Sequence, residues 1–97
     1  MKLVVRKAAQ NDLDRIFAWI AKDNPRAAIE TIGRIQERIG LLRLDSLAEI
    51  GRPGLLPGTR ELIESRYIIV YRVHEERGEI VVLSIIHAAR HRPRQQH

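Results

Sequence analysis

The spacing of hydrophobic residues along this chain shifts from a strand period to a helical one, lapses, and returns to a strand period. KLVVR (2–6) sets β-branched residues between charges and predicts a short strand. Leu13, Ile16, Phe17 and Ile20 then recur at helical spacing, with Asp12, Asp14, Arg15 and Lys22 off that stripe. The run Lys22-Asp23-Asn24-Pro25 interrupts the pattern. Asn24 is a good N-cap and Pro25 suits a first helical turn, so a second helix begins there. In it, Ala28, Ile32, Ile35, Ile39 and Leu42 alternate spacings of four and three, the seam of an antiparallel helical hairpin with a short connection. Both stripes read as core.

From Asp45 the periodicity fails, and IGRPGLLPG (50–58) holds three glycines and two prolines. No Gly-Lys-Ser/Thr follows, so this is no phosphate-cradling loop; it reads as a long crossover from helices to sheet. TRELIES (59–65), RYIIVYRV (66–73) and EIVVLSIIH (79–87) read as three strands of an antiparallel meander, with HEERG and its Gly78 turning between the last two. The predicted fold is α+β in the order β-α-α-β-β-β, one domain over 1–97 with 88–97 as a short basic tail.

Both alternating faces of Tyr67–Val73 and of Ile80–Ile86 are largely apolar, whereas a sheet with one wet face alternates apolar and polar. Two helices cover about one face of a four-stranded sheet, since strands lie ~4.8 Å apart and a helix is ~10 Å wide. A second apolar face is therefore expected to be left over, to be completed by an amphipathic segment of another chain.

Charge adds a direction to this picture. The net charge is +5, and arginines outnumber lysines fourteen to three. Arginine favours bidentate contact with phosphate or carboxylate. Arg90, Arg92 and Arg94 follow His87 with no acid among them, so the tail concentrates the excess. There is no cysteine, which removes disulfides and thiolate metal sites and fits a reducing compartment. MKLVVRK is too charged for a signal peptide, and no run approaches the ~18 apolar residues of a membrane span, so a cytoplasmic protein is expected.

Few catalytic arrangements fit. HEERG places glycine where a zincin helix needs its second histidine, and His87 with His91 lacks a third ligand, so neither a metal nor another cofactor is expected. Ser46, Ser65 and Ser84 have no Gly-x-Ser-x-Gly elbow. RNA cleavage through its own 2′-hydroxyl needs only a base, an acid and cations around the phosphorane-like charge. His87 is the natural acid, with Arg60 and Arg90 as cations, but the base is open between Glu49 and Glu61.

Several of these stretches together resemble a known family. NDLDRIFAWIAKDNPRAAIETIGRIQERI, IGRP, PGTREL, RYIIVYRV and IVVLSIIHAARHRP, from about Lys2 to Pro93, are similar to the RelE/ParE superfamily of type II toxin–antitoxin toxins, with plasmid or chromosome stabilisation and growth inhibition as its biology. The Asn24–Ala28 junction, Gly58–Leu62 and Pro93 after His87 look more like the ParE branch. The resemblance implies a protein that inhibits DNA gyrase and is neutralised in a hetero-oligomer by a cognate antitoxin. The alternative it implies is a RelE-like, ribosome-dependent mRNA interferase using Arg60, His87 and Arg90; a basic nucleic-acid-binding module is a third reading. For the leading one, Trp19, Arg90, Arg92 and Arg94 are the expected target-binding residues. Tyr67, Ile69, Tyr71, Leu83 and Ile85 are the expected antitoxin-binding residues.

Overall fold

The computed structural model of the protein describes residues 1–91. Strand β1 (Lys2–Val5) leads into helices α1 (Lys7–Ala21) and α2 (Pro25–Leu41), a hairpin as the two stripes predict. The Asn24 side chain accepts a hydrogen bond from the Ala27 N–H at 3.1 Å, which caps α2 as expected. After a short 3-10 turn come β2 (Arg52–Pro53), β3 (Arg60–Glu64), β4 (Tyr67–His74), β5 (Glu79–His87) and a single helical turn, α3 (Ala88–His91).

These strands form one sheet in the order β1-β5-β4-β3-β2. The three-stranded meander is present, and two features extend it. β1 lies parallel to β5, with Leu3 beside Ile80 and Val5 beside Val82. The supposed crossover contains β2, which pairs Arg52 with Glu61 and Pro53 with Arg60. Because β1 ends opposite Val82, no strand among the described residues pairs with the outer edge of β5 beyond that point. Asp12 of α1 fills in, its carboxylate accepting from the Ile85 N–H at 2.9 Å.

The core lies between the hairpin and one sheet face. Leu13, Ile35, Ile39 and Leu42 pack there against Leu62, Tyr67, Ile69, Tyr71, Ile80, Val82 and Ile85. Salt bridges from Arg38 (3.2 Å) and Arg34 (3.7 Å) to Glu64 tie α2 to the end of β3.

The opposite face corrects the expectation of a bare second apolar surface. Register places Ile86, Ile68 and Ile63 in one row and Lys2, Glu79 and His74 in a polar row at the other end. Ile68 and Val81 are buried, and among the described apolar side chains of this face only Ile63, at 40 %, is exposed. Part of the cover is the chain's own: the 52–58 loop folds over Glu61, whose carboxylate accepts from the Leu55 N–H at 3.2 Å and pairs with Arg52 at 3.4 Å. The larger apolar exposures sit elsewhere, on Trp19, Ile29, Leu44, Leu55 and Leu56.

Candidate functional site

A groove of about 1240 Å³ opens between the far end of the hairpin and the β3–β4 turn. From α1 come Asp12, Arg15, Ile16 and Trp19; from the hairpin turn Lys22 and Asp23; from the β3–β4 turn Ser65 and Arg66; from the sheet Tyr67, Ile85, Ile86 and His87. Register explains the convergence, since Tyr67 pairs with His87 and both stand at the end of the sheet that Ser65 and Arg66 turn around.

The lip of the groove is exposed and cationic. Trp19 is 62 % exposed, as its position off the helical stripe implies, and the Lys22 ammonium lies over its ring at 5.2 Å. His87 and Tyr67 pack in a T-shaped pair at 5.3 Å between centroids, and the His87 Nδ1 accepts from the Ala89 N–H at 3.2 Å. Asp12 shares the groove with His87, but its two oxygens are engaged by Arg15 and by the Ile85 N–H.

Two of the candidate ribonuclease residues, Arg60 and His87, are not brought together. Arg60 pairs with Tyr71, whereas His87 pairs with Tyr67, four positions along β4 and on its other side. At ~3.3 Å per residue and ~4.8 Å per strand, their Cα atoms lie roughly 16 Å apart. Arg60 instead donates to the Gly51 carbonyl at 2.9 Å and pairs with Glu49 at 3.4 Å. Both candidate bases are thus engaged in holding loops, Glu49 through Arg60 and Glu61 on the opposite face. Arg90 falls in α3; Arg92 and Arg94 lie outside the described residues.

The expected antitoxin-facing residues divide in two. Ile69 and Tyr71 are fully buried beneath the helices and offer no surface to another chain, because the odd-numbered positions of β4 face inward. Tyr67 and Ile85 also belong to the core but line the groove, and Leu83 is half-buried where the β4–β5 register shifts. Sequence periodicity misses this split because both faces of β4 are apolar. It also misses Arg15 and Arg66, which look like ordinary surface cations until the fold brings them to the groove.

At the other end of the sheet, burial raises the Tyr71 phenol above its ordinary ionisation range; the Gly51 N–H and Arg60 oppose that shift and Glu49 adds to it. The Tyr71 hydroxyl accepts from the Gly51 N–H at 2.9 Å. With a raised folded value, Tyr71 contributes stability below about pH 10 that is lost as pH rises through the folded value. Tyr71→Phe is therefore expected to cost about 1–3 kcal/mol near neutrality, by orphaning a buried N–H, and to flatten the alkaline loss. Urea titrations at pH 7 and 10.5 check both; an unchanged alkaline slope would reject the assignment.

No helix of the described residues is long and apolar enough to cross a membrane, and no three His, Asp or Glu side chains among them gather as metal ligands.

Comparison with known proteins places this geometry. Residues 3–92 match the family described as ParE toxin of type II toxin–antitoxin system, parDE. Y4kP of Sinorhizobium fredii, a provisionally assigned toxin, is 40 % identical over 81 residues, covering 78 % of this chain and 76 % of that protein. A chromosomal ParDE toxin–antitoxin structure from P. aeruginosa superposes with a TM-score of 0.77 at 29 % identity, over 90 % of this chain and 95 % of that one. The RelBE2 toxin–antitoxin complex of Mycobacterium tuberculosis shares the fold, with a TM-score of 0.60 at 22 % identity over 89 % and 88 % of the two chains. So does the intact E. coli RelBE complex, at 0.59 and 15 % over 87 % and 92 %. A two-helix hairpin on this strand order, matched by the family over nearly its whole length, settles the assignment: the chain belongs to the ParE toxin family of type II toxin–antitoxin systems.

Proposed function

We propose that this toxin acts in the cytoplasm by binding DNA gyrase and trapping it on cleaved DNA, without catalysing a reaction of its own, and that a cognate antitoxin holds it inactive. The observation that carries the binding reading is the separation of Arg60 from His87. His87, the acid of the candidate ribonuclease, stands far from Arg60, and that cation is engaged with Glu49 and Gly51. Trp19, with Arg90, Arg92 and Arg94 of the tail, is the proposed gyrase-facing set. The greater likeness to the ParDE structure than to the RelBE complexes supports the same reading.

The groove gives neutralisation a physical form. An amphipathic, acid-bearing antitoxin segment seated there contacts Ile16, Tyr67, Ile85 and Ile86, meets Arg15, Lys22 and Arg66, and covers Trp19. Antitoxin and target then compete for one tryptophan.

His87→Ala tests the choice of mechanism. Growth arrest on induction is expected to stay within about twofold of the parent, because losing one exposed-edge ring contact and one backbone hydrogen bond leaves the binding surfaces in place. Loss of killing by a folded, antitoxin-binding variant, with cut mRNA in cells expressing the parent, would instead assign the mRNA interferase activity.

A further inference from the structure

The 54–58 loop stands at the opposite end of β3 from the groove, and its tip shows two adjacent leucines to solvent, Leu55 at 54 % and Leu56 at 64 % exposure. Scattered exposed leucines are ordinary. These two differ in how firmly the backbone beneath them is fixed. Gly54 N–H donates to the Thr59 carbonyl at 2.8 Å, and Thr59 N–H donates to the Leu56 carbonyl at 3.1 Å. The Thr59 hydroxyl donates to the same carbonyl at 2.6 Å. The Leu55 N–H is held by Glu61, a carboxylate only 3 % exposed. Two glycines make this path possible. A Cβ at Gly54 would collide with the Thr59 side chain, and Gly58 takes φ +81, which side-chain-bearing residues rarely adopt. A mobile loop would let its leucines fold back; this one holds them out.

The surroundings of the tip define what fits it. Arg52 and Arg60 flank the tip in sequence and are paired with Glu61 and Glu49. The Arg72 guanidinium lies against Gly58, and Arg72 forms no ion pair among the described residues. Among the described residues the only carboxylate bonded to the loop backbone is that of Glu61, which is buried. A fixed apolar knob with an unpaired arginine beside it suits a concave apolar surface with an acidic group at its rim. A flexible antitoxin segment is itself convex and seeks a groove, which this chain offers at its other end. A cleft of that kind belongs to a folded protein.

We propose that the Leu55–Leu56 tip is a second docking element for the toxin's target protein, inserting into an acid-rimmed apolar cleft, separate from the groove that takes the antitoxin. The identity of that target as gyrase rests on the function proposed above. The tip supplies an apolar anchor at the centre of a contact, and Arg72 steers and orients it.

The double variant Leu55→Ser/Leu56→Ser tests this in three assays: inhibition of purified gyrase, growth arrest on induction, and affinity for the antitoxin by calorimetry. The expected result is a loss of about tenfold or more in both gyrase inhibition and growth arrest, with melting and antitoxin affinity unchanged and with Leu55→Met/Leu56→Met restoring activity. A smaller loss overturns the proposal. So does an equal loss of antitoxin affinity, which would assign the tip to the antitoxin. Concentration-dependent association of the parent that the double variant abolishes also overturns it, assigning the tip to the groove of a second copy. If the parent arrests growth but leaves gyrase untouched, the gyrase reading falls and growth arrest alone decides the tip. A parent that does neither overturns both. Should the double variant melt early, Leu56→Lys alone, at the more exposed position, carries the same comparison.

Discussion

Trp19→Ala is expected to raise the toxin concentration needed for half-inhibition of gyrase by about thirtyfold, the factor that corresponds to ~2 kcal/mol for an aromatic anchor at the centre of an interface. Several features single out this residue. It lies off the stripe by which α1 packs on the sheet, it is largely exposed, and a lysine lies over its ring. Burying the indole against a target therefore removes apolar surface that the free chain leaves wet. The same exposure means that folding stability should change by only about 0.5 kcal/mol. Affinity and stability are thus expected to separate, with Trp19→Phe retaining most of the inhibition. If Trp19→Ala inhibits as well as the parent, the hairpin end is not the gyrase-facing surface. Because Trp19 also lines the groove, antitoxin affinity should fall in the same variant.

Ile35→Ala carries the largest expected cost to the fold, about 2–5 kcal/mol, as befits a fully buried isoleucine whose loss leaves a cavity. Ile35 lies on α2 in the one core cluster that joins Leu13 of α1 to Ile69 and Val82 of the sheet. A domain of this size has only roughly 5–15 kcal/mol in hand, so the melting temperature should drop by about 10 °C or more. A urea titration should show a lower midpoint with the slope unchanged. Toxicity in cells should weaken through a smaller folded population, and saturating antitoxin should raise the melting temperature again by mass action. A cost below ~1 kcal/mol would mean that the hairpin docks on the sheet differently.

Much of this architecture was legible because local chemistry and long-range packing agree. Asn24 and Pro25 mark the start of α2 in any fold, and the stripe from Ala28 to Leu42 has one face to bury. β5 is found where its apolar run stands, at Glu79–His87. The rest depends on pairings that no local pattern carries. β2 consists of an arginine and a proline inside a Gly/Pro-rich loop, and it is a strand only because Arg52 and Pro53 pair with Glu61 and Arg60. β1 is visible as a strand, but its parallel place beside β5 joins residues more than seventy positions apart.

The site was legible in part for the same reason. Trp19 declares itself by missing the stripe. Which face of β4 meets the helices is undeclared, since Tyr67-Ile69-Tyr71 and Ile68-Val70 are equally apolar. Arg60 reads as a free cation beside a turn, yet the fold engages it with Glu49 and Gly51. The surplus apolar surface expected on the sheet is found mostly on the hairpin and the 54–58 loop, while Ile68 and Val81 of the sheet are buried.

Binding without catalysis is tested most directly by incubating the purified toxin with gyrase, ATP and relaxed plasmid, and in parallel with a translating bacterial extract. Loss of supercoiling with accumulation of protein-linked cleaved DNA, reversed by antitoxin, and intact mRNA in the extract is the predicted result. Normal supercoiling beside ribosome-dependent cutting of mRNA would contradict it.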